Sequence, residues 1–369
     1  MMSTQTFTHL TAQQVNTIRQ YAGTAEQQGK LTTEQLHLIY DQHWFKMLAP
    51  VAYGGLELSL PHVVQLEEDL AHADGSLGWA VTLCAGAGWF GGFTDPEFSK
   101  QIFTANHVCL AGSGAPSGFA DIVPHGYRVT GKWLHATGAQ HATVFTANCI
   151  IRENNVPVLD NEGNEMILSF TFLKDEVSVL PGWPYIGMRG TSSYRYEVNN
   201  VVVPYNRTFK IDAKEAHINA PLYQYPFMQL AWATLAINIS GMALHFIELA
   251  EKIFDEKKNR QGVLLKDLDV VKNAFYIHLQ QLNSARAAFY DDLNQSWEMC
   301  VNNGRIDKAT CMAVNTTAHL LSETAKRTVD SLYPYCGLAA ANPGTQLNRV
   351  WRDIHTAGQH SLLVFGSDK

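Results

Sequence analysis

The chain has 369 residues, 46% of them hydrophobic and 17% charged, enough for two or three domains around a substantial core. A net charge of −7 and a pI near 6.1 exclude a global basic field for nucleic acid or anionic lipid, while leaving room for a local basic pocket around an anionic cofactor. The six cysteines (Cys84, Cys109, Cys149, Cys300, Cys311 and Cys336) show no CxxC pairing and read as buried reduced thiols. The polar segment Met1 to Gln14 carries no apolar signal, so the expected location is cytoplasmic.

In chain order, Thr11 to about Ala105 has a helical pattern. Thr32 or Thr33 serves as an N-cap before an acidic first turn, and Ala49 to Gly55 punctuates the chain as a turn. A helix follows Pro61, with Val64, Leu66, Leu70 and Ala71 expected inward and Glu67, Glu68 and Asp69 largely outward. Asp74-Gly75-Ser76 restarts an apolar helix through Leu77, Trp79, Leu83 and Trp89. Residues 76–93 and 227–247 lack Asp, Glu, Lys and Arg. The first is broken by glycines, the second carries Gln229, Thr234, Asn238, Ser240 and His245, and neither has a basic flank. Both are expected to be central bundle helices rather than membrane spans.

After His107 the character changes. Gly126 to Trp133, Val144 to Ile151, Met166 to Leu173, Ser193 to Val198 and Val201 to Val203 read as an antiparallel set of strands, with a hairpin turn at Asp160 to Asn164. From Tyr225 the helical period returns, with long helices over Phe227–Lys257, Asp267–Val301 and Lys308–Leu332 joined by short links. That pattern argues for an antiparallel bundle. Asp255 to Arg260 is a charge run expected in a solvated turn. The predicted organisation is α+β: a helical domain over 1–106, an antiparallel β-barrel or sandwich over 107–212 and a helical bundle over 213–369.

The punctuation along this order resembles the acyl-CoA dehydrogenase superfamily across nearly the whole chain. Pro50-x-x-Tyr53-Gly54-Gly55, Glu68 and Asp74-Gly75-Ser76-x-Gly78-Trp79 are similar to its N-terminal signature. Ala111-x-x-x-x-Pro116-x-Gly118, Gly126-Tyr127-x-Val129-x-Gly131-x-Trp133, Gly138, His141, Gly187-Met188-Arg189-Gly190-Thr191 and Val203-Pro204 follow, and Arg349-x-x-Arg352-Asp353 closes the series. The resemblance implies FAD or FMN held against the β domain and the bundle, usually in a homotetramer. Gly112-Ser-Gly114-Ala-Pro-Ser-Gly118 is not a Rossmann fingerprint, because it precedes a strand. It reads as a loop close to the flavin ring, where glycines permit tight backbone approach.

Two branches of the superfamily need different equipment. A dehydrogenase removes a weakly acidic proton beside a thioester and needs a desolvated carboxylate base. The family places that Glu after the Arg-Asp signature or early in the first bundle helix. Here Arg352-Asp353 is followed by Ile-His355-Thr-Ala-Gly-Gln-His360, and the early helix carries Gln229. The resemblance is therefore nearer the flavin-dependent monooxygenase (hydroxylase) branch, which carries a histidine after the terminal Trp-Arg-Asp; His360 occupies that place behind Trp351-Arg352-Asp353. A neutral imidazole can accept a phenolic proton.

The implied site has His360 as the acid/base group and Thr137 as a hydrogen-bond donor to the flavin. Trp133, Gly138, Arg189, Arg349 and Arg352 complete the cofactor contacts, and Trp79, Ala87 and Trp89 line the substrate pocket. Trp183 and Trp351 are further candidates for the flavin pocket, and Arg349 and Arg352, three apart, can grip a phosphate or a neighbouring carboxylate. No metal is expected, because His135 and His141 lack a ligand-spaced cluster. Ala87 stands where the branch often has a second histidine, and Ala136 cannot donate a hydrogen bond. The expected activity is monooxygenation of a small apolar or aromatic substrate with reduced flavin from a separate reductase. The alternatives are an acyl-CoA dehydrogenase with an unlocated base and a degenerate, non-catalytic family member.

Overall fold

The computed structural model describes residues 7–364; the first six residues of the polar N-terminal segment and residues 365–369 lie outside them. The chain opens with α1 (Ala12–Gln28), α2 (Thr33–Asp41), α3 (Leu60–Ala73), α4 (Gly75–Trp89) and α5 (Pro96–Phe103). Thr11 and Thr32 each close a capping box, the hydroxyl accepting from the glutamine N–H three residues on while the glutamine side chain accepts in return. Asp74 caps α4 by accepting from the Leu77 N–H at 3.0 Å.

The middle of the chain forms β1 (Leu110–Val123), β2 (Gly126–Ala136), β3 (Val144–Glu153), β4 (Val156–Pro157), β5 (Ile167–Leu173), β6 (Ser178–Leu180), β7 (Tyr194–Pro204) and β8 (Thr208–Phe209). They make a single sheet in the order β6-β7-β2-β1-β3-β5-β8, with β4 beside β3. This corrects the expected antiparallel barrel or sandwich in two respects. The path ends at β6 and β8 without closing on itself, and β1 pairs with β3 in parallel, Leu110 opposite Val144. The reason is the short crossover over 137–143, which passes under the start of β1 and delivers β3 to the side opposite β2. The segment Gly112–Gly118, expected as a loop, lies inside β1 with a register shift between Ser113 and Gly118.

The C-terminal part holds α6 (Pro221–Gln224), α7 (Phe227–Glu256), α8 (Asp269–Asn303), α9 (Lys308–Leu332), α10 (Leu338–Ala341), α11 (Gln346–Ala357) and α12 (Ser361–Val364). Among the described residues, α7 alone is long and apolar enough to cross a membrane, yet 94% of its most apolar stretch is buried inside the protein. It packs against α3, α4, α9 and α11, as a central bundle helix must. Close approach to α3 depends on Gly241, where a Cβ would stand 2.5 Å from the Glu68 carbonyl oxygen.

Because α3 is covered by α4, α7 and α8 together, a one-sided reading of its faces fails. Glu67 and Glu68, expected outward, are both buried, and only Asp69 stays partly exposed. Glu68 is fully paired. The Arg286 guanidinium of α8 donates to both its oxygens at 2.7 and 2.6 Å, and Ser240 and Tyr290 donate at 2.6 and 2.8 Å. Glu67 has no such partners.

Candidate functional site: a cavity where the three parts meet

A cavity of about 260 Å³ lies where α4, the sheet, the start of α7 and the C-terminal tail converge. That is near the lower end of the roughly 300–1,000 Å³ common for ligand sites, so it suits a ring system rather than a whole dinucleotide. The α4 wall is Thr82, Leu83, Gly86, Ala87 and Phe90. The sheet wall is Gly112 to Gly114, Thr146 to Asn148 and Ser169, and Thr137 closes it from the crossover. The α7 wall presents Phe227, Leu230, Ala231, Thr234 and Leu235, while His360 and Leu362 come from the tail.

Among the described lining residues His360 is the single titratable side chain, and none is Asp, Glu, Lys or Arg. Apolar walls with a few convergent hydroxyls and amides are what an uncharged planar ligand needs. At Gly86 and Gly114 a Cβ would meet nothing within 4 Å, so bare backbone faces open space from both sides. A flat tricyclic ring fits that arrangement, with Thr137, Ser113 and the Gly112–Gly114 backbone as the polar groups able to hold its edge.

The direction of the Thr137 hydrogen bond is set by a chain of hydroxyls. Thr191 donates to the Met188 carbonyl at 2.8 Å, so its oxygen accepts from Ser193 at 2.7 Å, and Ser193 in turn accepts from Thr137 at 2.8 Å. With its one proton committed, Thr137 faces the cavity as an acceptor. The expected donor role is corrected, and the change has chemical content: an acceptor matches the N–H of a reduced flavin.

His360 sits behind α11, in the turn before α12, with the Trp79 ring edge-on at 6.0 Å. Burial, reinforced by the nearby His135, lowers its pKa below the usual imidazole value, so the ring is neutral at physiological pH. The Leu362 N–H donates to Nδ1 at 3.3 Å, which places the neutral ring's proton on Nε2. In this tautomer the ring offers Nε2–H as a donor to an oxygen, rather than a lone pair to a phenolic proton.

The structure thus brings Thr137, Ala87 and His360 onto one cavity, together with the Gly112–Gly114 segment. Other expected site residues lie off it. Trp133 is fully buried within the sheet core, stacked on Tyr196 with its indole N–H on the Asn148 carbonyl. Trp89 packs among Phe93, Tyr223 and Phe227, and donates to the Leu222 carbonyl. Trp79 forms a second layer behind His360 rather than the cavity wall.

Gly138 has φ +79°, and a Cβ there would stand 2.5 Å from Cys84 Sγ, so it serves the packing of the crossover on α4. Arg189 is exposed and outside the cavity. Trp183 donates to the Gly187 carbonyl, and Trp351 lies against Tyr333, both away from the cavity wall.

Arg349 and Arg352 need the clearest correction. Both face one way on α11, but what they grip is protein. Arg352 pairs with Glu26 of α1 and donates to the Ile186 carbonyl and the Asn348 side chain at 2.7 Å each. Arg349 stands 3.9 Å from the Asp74 carboxylate. Asp353 accepts from the Met188 N–H, and burial beside Asp74 pushes its carboxyl up to about 7. These residues pin α11 to the helical domain and to the loop before β7.

The positions where the family would place a carboxylate base carry other groups engaged within the protein. Gln229 donates to Asn315 at 3.1 Å, and His355 lies 2.9 Å from Asp330. No group of three or more His, Cys, Asp or Glu able to hold a metal occurs among the described residues. Sequence reading missed Thr82, Asn148, Ser169, Phe209 and Phe227, each from a different element with no local motif to mark it.

Helices, a sheet and a long bundle around a neutral cavity at their junction make an acyl-CoA dehydrogenase-like fold. Residues 226–365 match the family described as acyl-CoA dehydrogenase, C-terminal domain. The chain is 22% identical over 364 residues to the flavin-dependent monooxygenase, oxygenase subunit HsaA, of Rhodococcus jostii (strain RHA1), covering 94% of this chain and 91% of that protein. It is 26% identical over 328 residues to a pigment production hydroxylase of Rhodococcus sp. (strain ATCC 21145), covering 86% and 82%. Among solved structures, XiaF from Streptomyces sp. in complex with FADH2 and glycerol superposes with a TM-score of 0.85 at 19% identity, over 95% of this chain and 91% of that one. The family match covers the C-terminal bundle, and over nearly its whole length the chain is similar to flavin-dependent monooxygenases that share this fold.

Proposed function

We propose that this protein is the oxygenase of a two-component system, hydroxylating a small, uncharged aromatic substrate with reduced FAD or FMN delivered by a separate reductase. The observation that carries this reading is the composition of the cavity: a single neutral histidine, hydroxyls and amides, and no carboxylate among the described lining residues. A dehydrogenase base would have to stand in that wall, so acyl-CoA oxidation is disfavoured. Absence of a lining Lys or Arg likewise disfavours carboxylate and phosphate substrates.

When bound and reduced, the flavin supplies the activation of oxygen. Thr137 Oγ1 would accept a hydrogen bond at the ring's polar edge, and Gly112 to Gly114 would let the sheet backbone approach it. Leu83, Phe90, Phe227 and Leu235 exclude water. His360 Nε2–H donates to the substrate hydroxyl oxygen, favouring its ionised, electron-rich form.

Assembly as a homotetramer is part of the same proposal. It is supported by large apolar side chains left exposed on α8 and α9, including Tyr276, Ile277, Met312 and Leu320. A cytoplasmic location is supported by the free state of all six cysteines.

The test is single-turnover chemistry. Protein loaded anaerobically with reduced flavin is mixed with oxygen and a panel of neutral phenols and indoles, and separately the oxidised complex is mixed with acyl-CoA thioesters. Oxygen-labelled hydroxylated product from the first panel supports the proposal. Flavin bleaching by a thioester would replace it with dehydrogenation, and failure to bind any flavin would favour the non-catalytic alternative.

A further inference from the structure

Glu67 of α3 is fully buried, and neither carboxyl oxygen completes a hydrogen bond of full geometry among the described residues. An ionised carboxylate so placed would cost several kcal/mol without a counter-charge. Burial accordingly raises its pKa well above the ordinary carboxylate value, and the one polar influence opposing this is the neighbouring Thr82 hydroxyl. The side chain is therefore a neutral carboxylic acid. Nothing in the packing of α3 calls for it, because the clamp to α8 is made by Glu68.

Thr82 is the link to the cavity. It lies one turn of α4 before Gly86 and lines the wall. Its oxygen accepts from Asn238 Nδ2 at 2.8 Å, and Asn238 is itself held on the Thr234 carbonyl at 2.9 Å. A hydroxyl has two acceptor sites and one proton. With one site taken by Asn238, the second is open to the O–H of Glu67, and the hydroxyl proton is left for a group in the cavity.

We propose that Glu67 is a proton-holding positioning residue that exchanges its proton with the cavity through the Thr82 hydroxyl. In the transfer, the Glu67 O–H bond breaks as its proton moves to Thr82 Oγ1, and the Thr82 O–H bond breaks as that proton passes to an anionic oxygen or nitrogen in the cavity. Glu67 is left as a carboxylate, Thr82 is unchanged, and the acceptor gains one proton. Because the buried carboxylate is high in energy, the acid yields its proton only to a strong base and recovers it by the reverse path. The inference goes beyond the proposed function, and its first test needs no flavin.

The flavin-free protein is transferred to D2O, and the infrared carbonyl band of its protonated carboxyl groups is followed in time. Wild type should show a band that Glu67→Gln removes, with O–H to O–D exchange tenfold or more slower in Thr82→Val and restored in Thr82→Ser. The second arm is turnover with reduced flavin. Glu67→Gln and Thr82→Val should lower the oxidation rate at least tenfold while reduced-flavin affinity stays within about twofold. Glu67→Leu should match wild type in unfolding stability, as expected for a residue not retained for the fold. Absence of a Glu67 acid band, wild-type exchange in Thr82→Val, or wild-type turnover in Glu67→Gln would overturn the proposal. A protein that shows the exchange but binds no flavin would remove the oxygenase reading while leaving the relay intact.

Discussion

Charge is distributed very differently between the seams of this molecule and its cavity. Along the seams, carboxylates and guanidinium groups are packed densely: Glu68 with Arg286 between α3 and α8, Arg352 with Glu26 between α11 and α1, and Arg349 with Asp74 at the cap of α4. Around the cavity the described wall carries hydroxyls, amides and one neutral imidazole. A buried pair fixes geometry, and losing either partner strands the other. A neutral wall leaves charge to be introduced by the ligand, where a few oriented dipoles act strongly in a dry site. The arginines that a sequence reader would give to the cofactor therefore hold helices together, and the chemistry is left to uncharged groups.

The largest effect expected from breaking this division is at the seams. Glu68→Ala removes the carboxylate that accepts from Arg286, Ser240 and Tyr290 at once and should cost about 3–5 kcal/mol of unfolding free energy in chemical denaturation. The neighbouring Glu67→Leu should cost little, and equal losses at the two positions would erase the contrast.

Next in size is His360→Ala. It should reduce product formation about 100-fold or more while leaving reduced-flavin binding nearly unchanged. His360→Gln keeps an N–H donor and should recover part of that loss; if Gln is as poor as Ala, the ring works as a base and the donor role is wrong.

Arg352→Gln should lower stability by roughly 1–3 kcal/mol through its lost hydrogen bonds, without a change in flavin affinity. A selective loss of flavin binding in a well-folded Arg352→Gln would move this residue back to the cofactor. Thr137→Val removes a single acceptor and should weaken reduced-flavin binding by about 1 kcal/mol, roughly fivefold, in anaerobic titration.

The smallest signal is a slope. Asp353, pushed up to about 7 in the folded protein from the ordinary carboxylate range, keeps its proton while the unfolded chain has already lost its own. Its effect is to lower stability progressively as pH rises from about 4 to about 7 and to change nothing further above that. Asp353→Asn can still accept from Met188 and should flatten this part of the stability profile; an unchanged slope would place the titration elsewhere.

What the sequence disclosed followed from local physics. Thr32 and Asp74 are short polar residues before helical runs and do cap α2 and α4. The helical periodicity delimits Lys308–Leu332, which is α9. Thr137, Ala87 and His360 were found through the superfamily resemblance, and all three reach the cavity.

What was misread depended on partners distant in the chain. Glu67 and Glu68 look solvent-facing until α7 and α8 cover α3, with Ser240 and Arg286 reaching Glu68 from more than 170 residues on. Arg352 looks like a phosphate clamp until Glu26 arrives from α1. Trp133 alternates correctly for a strand, but which face would be core depended on Tyr196 and Phe172 across the sheet. The Thr137 donor role was reversed by hydroxyls at positions 191 and 193, which no spacing rule connects to it.

The central claim is that the neutral cavity between α4, the sheet and the C-terminal tail receives the flavin ring. It is tested most directly by a crystal structure of the protein soaked anaerobically with reduced FAD or FMN. The ring should lie between Gly86 and Gly114, with its N–H edge within hydrogen-bond distance of Thr137 and its open face toward His360. A ring bound elsewhere, or a cavity unchanged at flavin concentrations that saturate the protein, would contradict the account.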